Sequence, residues 1–143
     1  MIDPSVLMLT AFYAAFGILL MIVSNIVIAF FIPGDFAEEI RRGNRAVAWL
    51  SAGSFIGIGE ILRAVILSPA YDAPAQDFLQ GVVASAVYAA VGILFFVIGF
   101  FIINAWHRKY ALAAEIQRGN TAAGIFVFGV FVGLSLVISG AVH

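Results

Sequence analysis

Residues 39–46 read EIRRGNRA, and residues 115–122 read EIQRGNTA. The two octapeptides lie 76 positions apart, and each stands at the head of a long apolar stretch. Apolar words recur by chance in an apolar chain, but Glu, Arg, Gly and Asn recurring at one internal spacing mark a duplicated unit. Outward on one side, Gly53, Phe55 and Gly57 follow the first copy, and Gly129, Phe131 and Gly133 follow the second at the same offset. Outward on the other side, YAAFGILL from Tyr13 is answered by YAAVGILF from Tyr88 at an offset of 75, so the second connection carries one inserted residue. Each unit is thus an apolar stretch, a polar connection and a returning apolar stretch.

Of 143 residues, 64% are apolar and 10% are charged, against roughly 25% charged in a soluble domain. That balance describes a membrane protein. A spanning helix needs about 20 apolar residues, and residues 5–32, 46–67, 81–105 and 121–142 supply four such stretches. The first has no basic leader and is longer than a signal-peptide core, so it reads as a retained span. The expected fold is all-α: an integral membrane four-helix bundle in a single transmembrane domain, residues 1–143. It is built from two hairpin repeats, about 5–67 and about 81–142, joined by an outer loop at 68–80. Each repeat has two spans, so both point the same way across the bilayer and form a parallel repeat, unlike the inverted repeats of many transporters.

Arg41, Arg42 and Arg45 lie between the first two spans, and Arg108, Lys109 and Arg118 between the last two; Asp72 and Asp77 flank Pro74 in the middle connection, which has no basic residue. The positive-inside rule puts both basic connections in the cytoplasm and both termini outside. In the first connection Pro33 and Gly34 end the span and Asp35 can cap a short helix with Glu38 in its first turn. Gly43 suits the left-handed position after that helix, and Asn44 suits the N-cap of the next span. The second connection has no Pro or Gly before Glu115, so its span is expected to continue as helix toward Gly119.

At this point the layout resembles a small bacterial inner-membrane family, the YjfL-like proteins, whose domain has no assigned function. The four spans, the duplicated E-I-x-R-G-N-x-A and the Gly-x-Phe-x-Gly helix carry the resemblance over nearly the whole chain. It implies a multi-pass protein of the bacterial cytoplasmic (inner) membrane and leaves mechanism open.

Three groups of residues are candidates for function. Glu39, Arg42, Gly43 and Asn44, with Glu115, Arg118, Gly119 and Asn120, either form a cytoplasmic contact surface for a protein partner or anionic headgroups, or serve as helix caps with Glu to Arg pairing between repeats. Gly53 with Gly57 and Gly129 with Gly133 form small-residue seams of the kind that let membrane helices approach closely. They place spans two and four at the bundle centre or against a second subunit. Glu60 lies three residues past Gly57, on the same face, about six residues or roughly 9 Å from the outer end of its span. Tyr13 and Tyr88 fall at a comparable depth and Arg63 one turn on. The four form either a structural polar cluster or part of an ion path.

The remaining polar residues offer less. Asn25 and Asn104 can bond between helices, and Trp106, less clearly Trp49, suits the membrane interface. His107 and His143 have no metal-ligand companion at helical spacing. No metal, no cofactor and no catalytic group is expected: phosphate loops, dinucleotide fingerprints and nucleophile elbows are absent from the sequence. Nothing resembles a basic stripe for nucleic acid. The expected partners are membrane lipid, further copies in a homo-oligomer, and a cytoplasmic or peripheral membrane protein. The function these readings favour is an oligomeric interaction or scaffold component of the envelope; the alternative is a small ion channel or transporter using Glu60.

Overall fold

A computed structural model describes residues 3–32, 34–67, 77–107, 109 and 111–142. Pro33, Asp72, Pro74, Arg108, His143 and the Asp77 side chain, all named above, lie outside that description. The described residues form helices α1 (Pro4–Phe31), α2 (Phe36–Arg41), α3 (Arg45–Leu67), α4 (Asp77–Trp106), α5 (Leu112–Gln117) and α6 (Thr121–Val142), with no strand among them. The all-α architecture is as expected, and α1, α3, α4 and α6 are each long and apolar enough to cross a membrane. One boundary differs. The third span ends at Trp106, and α5 is a separate short helix rather than a continuation toward Gly119.

The bundle is arranged around α3. Its most extensive contact is with α6, and α4 and α1 pack on its remaining sides. It is the least apolar of the four long helices and the most buried, whereas α1 is the least buried. The core is aliphatic and aromatic: Ile58 and Ile61 of α3, Phe96 and Phe100 of α4, and Phe131 of α6 are each at most 2% exposed. The Phe96 and Phe131 rings stack at 4.8 Å.

Glycine decides how closely α3 and α6 approach. A Cβ on Gly53 would stand 2.8 Å from the Cα of Phe128; one on Gly57 would meet the Phe96 ring and lie 3.4 Å from the Phe131 carbonyl oxygen. The first expected seam therefore lies inside the chain. The second does not. Gly129 and Gly133 have open space where a Cβ would be, and the close approach on α6 is made instead by Gly124 against the backbone of Ala46. The reason is rotational. The two units carry the same glycine spacing, but α6 turns a different face toward α3 than α3 turns toward α6.

Between α1 and α3 the hydroxyls of Ser24 and Ser54 lie 3.0 Å apart and fully buried. The corresponding positions of the second unit, at offsets of 75 and 76, are Gly99 and Val130. A polar clasp in one half is thus an apolar contact in the other. Asn25 and Asn104 can bond between helices; their buried Oδ1 atoms accept no hydrogen bond among the described residues.

Candidate functional site

The two polar connections fold into one device. At Asp35 the carboxylate accepts hydrogen bonds from the backbone N–H groups of Ala37 and Glu38, at 3.1 and 3.2 Å, and starts α2. The helix stops one turn and a half later. Gly43, at φ 84°, takes the left-handed backbone that residues with a Cβ avoid. Its N–H donates to the Ile40 carbonyl and that of Asn44 to the Glu39 carbonyl, each at 2.9 Å. These two bonds satisfy carbonyls that a helix end leaves unpaired.

The second connection repeats the closure. Gly119 has φ 82°, its N–H donates to Ile116 at 3.0 Å, and the N–H of Asn120 donates to Glu115 at 2.9 Å. Ala111 occupies the position of Asp35 and makes no side-chain cap bond. The closing half of the motif is therefore common to both connections, while the opening half differs.

Each Glu of the motif serves its own turn. The Asn44 amide donates to Glu39 and the Asn120 amide to Glu115, at 2.8 and 2.9 Å. Arg42 lies 3.9 Å from Glu39 and Arg118 lies 3.3 Å from Glu115. The Glu to Arg pairing expected between repeats is absent among the described residues, because both pairs close at i,i+3 within a turn. What joins the two turns is Asn44. Its Oδ1 accepts from the N–H groups of Ala46 and Val47, capping α3, while its amide also donates to the carbonyl oxygens of Ile116 at 2.9 Å and Gln117 at 3.3 Å. Asn44 is 9% exposed, and Asn120, its counterpart, faces solvent. A cleft of about 260 Å³ lies between the turns, lined by Glu39, Arg42, Gly43, Asn44, Gln117, Arg118 and Gly119. The structure thus gathers motif residues of both copies at one end of the bundle.

Beside the cleft, Arg41 donates two hydrogen bonds of 2.7 Å to Glu38, and Arg42 donates one of 3.0 Å. The Arg41 guanidinium holds the Glu38 carboxyl below its ordinary range. A carboxyl so lowered stabilises the folded turn above its ordinary pKa, and that contribution disappears as pH falls through the lowered value. Carboxyl titration by NMR is expected to give Glu38 a midpoint below that of a free glutamate, returning toward the ordinary value in Arg41→Ala. An unchanged midpoint in the variant would show that the pair does not form in solution. The exposed pair itself adds little stability.

The second candidate, around Glu60, is at the opposite end. The Arg63 guanidinium donates to both Glu60 oxygens, at 2.9 and 2.8 Å, and the Ser139 hydroxyl donates to one of them at 3.2 Å. Glu60 is thereby tied to α6, and Arg63 remains 59% exposed. Tyr13 and Arg63 line a common apolar groove between α1 and α3. Tyr88 is not in the cluster. The face that α4 turns inward carries Ser85, Ala89, Gly92 and Phe96, all buried, and Tyr88 precedes Ala89 by one residue, about 100° round the helix. Depth along the span places Tyr88 correctly and rotation does not. Ser139 was missed in the sequence; the available signal was its position, 76 residues from Arg63.

Trp106 is 82% exposed at the end of α4, and Trp49 packs edge-on against Phe128 with ring centroids 5.2 Å apart. Among the described residues no group of three or more His, Asp or Glu is placed to hold a metal.

The family described as "Domain of Unknown Function (DUF350)" matches residues 1–142. The chain is also similar to the "UPF0719 transmembrane protein YshE" of Bacillus subtilis (strain 168), with 30% identity over 105 residues, 73% of this chain and 71% of that protein. No solved structure matches. The narrower YjfL-like label rests on the motifs alone.

Proposed function

The chain belongs to the DUF350 family of multi-pass membrane proteins, and from that premise we propose that it is an oligomeric interaction component of the bacterial cytoplasmic membrane. Its two E-I-x-R-G-N turns form a contact surface for a cytoplasmic or peripheral membrane protein. It works without a cofactor and catalyses no reaction. The two hairpin units are parallel repeats, with turns inside and both termini outside.

The observation that carries this reading is the union of the turns. Asn44 fixes two copies of one motif side by side, so that Arg42 and Arg118, 66% and 76% exposed, flank a single polar cleft. A loop that only reversed the chain would not need its twin. Orientation is supported by charge: Arg41, Arg42, Arg45, Lys109 and Arg118 cluster at the turn end, as positive-inside topology requires. The ion-path alternative has less support. An ion site needs free coordinating oxygens, and both Glu60 oxygens already face Arg63.

The test is cross-linking from intact membranes followed by purification. The wild type is expected to retain a cytoplasmic or peripheral protein, and Arg42→Glu/Arg118→Glu is expected to lose it at unchanged yield. In parallel, the purified protein is expected to carry no ion flux in liposomes. Flux abolished by Glu60→Gln would replace the scaffold reading with the transport one.

A further inference from the structure

Lipid by default covers the outer faces of a membrane bundle, so an exposed apolar face is not in itself a docking site. Here the two units supply an internal comparison. On α3 the stripe Ala46, Leu50, Gly53, Gly57, Ile61 and Ala64 is buried throughout. Shifted by 76 residues, the same stripe on α6 is Ala122, Phe126, Gly129, Gly133, Val137 and Gly140, and every member is exposed. The converse also holds. Gly124, Phe128 and Phe131 of α6 meet the α3 stripe; of their counterparts on α3, Ala48 and Phe55 are exposed and Ala52 is partly so. The α3 to α6 contact therefore joins two different faces of a repeated helix. Each chain is left with one unused face of each kind.

The polar end follows the same rule. Asn44 is buried and its amide reaches the carbonyls of Ile116 and Gln117, with Ile116 1% exposed. Asn120 faces solvent, and Ile40, the counterpart of Ile116, is 44% exposed. Where the first unit is filled by Gly124 and the end of α5, the second has a hollow of about 480 Å³ lined by Glu115, Asn120, Ala122, Ala123 and Phe126. A shallower hollow of about 270 Å³, lined by Arg45, Ala48, Trp49 and Ala52, lies on the free face of α3.

We propose that a second copy of this chain fills these faces head to tail. The exposed α6 stripe receives the partner's Ala52 and the partner's Phe55, as the α3 stripe receives Phe128 and Phe131. The Asn120 amide then donates to the carbonyl of the partner's Ile40. Glycine in a helix gives up about 1 kcal/mol relative to alanine, and against lipid nothing returns it. Against another backbone, Gly129, Gly133 and Gly140 permit the close approach that drives membrane helices together. Because the two faces differ, the contact is heterologous and passes from copy to copy until it closes on itself. The proposal gives the oligomer of the preceding reading its interface; it rests on the membrane location in that reading and not on the cytoplasmic partner.

The chain has no cysteine, so introduced thiols are the only ones present. Gly53 meets Phe128 within the chain, and the corresponding pair between copies is Gly129 and Ala52. Full-length Ala52→Cys and Gly129→Cys, carrying different tags, are to be co-expressed and oxidised in native membrane vesicles. A disulfide-linked heterodimer is expected from the mixture and no cross-link from either variant alone. Ser24→Cys/Ser54→Cys, at the buried hydroxyl pair, reports within one chain that the bundle is folded and the oxidant has entered. With that control closed, failure of the mixture to cross-link overturns the proposal. So does self-linking of Gly129→Cys, which would put α6 against α6 or leave the faces to lipid encounters. Adding Gly133→Leu to the Gly129→Cys copy is expected to remove the cross-link and spare the control; persistence of the cross-link counts against the interface. Loss of the cytoplasmic partner with cross-linking intact would sink the scaffold reading alone.

Discussion

Gly124→Ala is expected to lower the thermal stability of the folded protein clearly. A Cβ at this position would stand 2.5 Å from the Cα of Ala46 and press on the same residue's carbonyl. Both are backbone atoms, so no rotamer change can relieve the contact, and α6 must move away from α3 along the largest interface in the bundle. Alanine gains about 1 kcal/mol of helix propensity over glycine, whereas overpacking that the backbone must absorb costs about 3 kcal/mol. The clash wins by about 2 kcal/mol, roughly thirtyfold in the ratio of folded to unfolded chains. Gly129→Ala makes the opposite case: with open space at that Cβ, the detergent-dispersed monomer is expected to match or exceed the wild type. Heating followed by fluorescence-detected size exclusion measures both variants. Equal stability of Gly124→Ala and wild type would mean that α3 and α6 are not in backbone contact.

Asn44→Ala is the second large effect, and Asn120→Ala is its control. Removing Asn44 deletes the cap of α3, worth about 1 kcal/mol, and takes from the buried Ile116 carbonyl its second donor, leaving it the Gly119 N–H; that net bond adds about 0.5 to 1.5 kcal/mol. The total of about 1.5 to 2.5 kcal/mol should appear as a lower midpoint of thermal unfolding. Among the described residues the Asn120 side chain bonds within its own turn, to Glu115 and the Ala122 N–H, so its loss should not exceed about 1 kcal/mol. Asn44→Asp separates the two roles of the residue, because it keeps the capping oxygen and loses the amide donor. It should retain α3 and weaken the link between turns. Equal losses for Asn44→Ala and Asn120→Ala would contradict the bridging role.

Much of this organisation is legible in the sequence because it depends on local rules. Length and apolarity give the four long helices, Asp35 and Gly43 give the limits of α2, and Glu60 with Arg63 pair at a spacing any helix enforces. What sequence does not carry is rotation about each helix axis. Gly129 and Gly133 repeat the spacing of Gly53 and Gly57, yet which of two nearly opposite faces α6 turns inward depends on the packing of the whole bundle. Tyr88 is the same lesson at one residue's offset. The α5 helix was hidden for another reason: Ala111 supplies no cap, so the second connection lacks the signal that announces the first. Gly124, the tightest contact on α6, has Ala48 as its counterpart and stands outside the repeated glycine pattern altogether.

The central place of α3 also has a consequence in time. Synthesis runs from the N-terminus, so the helix with the most buried surface and the least apolar sequence is made second, before α4 and α6 exist to cover it. From Leu67 to Val142 a further 75 residues must be added, which at 5 to 20 residues per second takes roughly 4 to 15 s. Until α4 follows, partway through that interval, α1 is the one long helix available to shelter α3, and the Ser24 to Ser54 clasp is a polar bond between them. The first hairpin must therefore hold itself in the bilayer while the rest is made, whereas the second arrives onto a surface already waiting for it. The asymmetry between the halves matches their birth order.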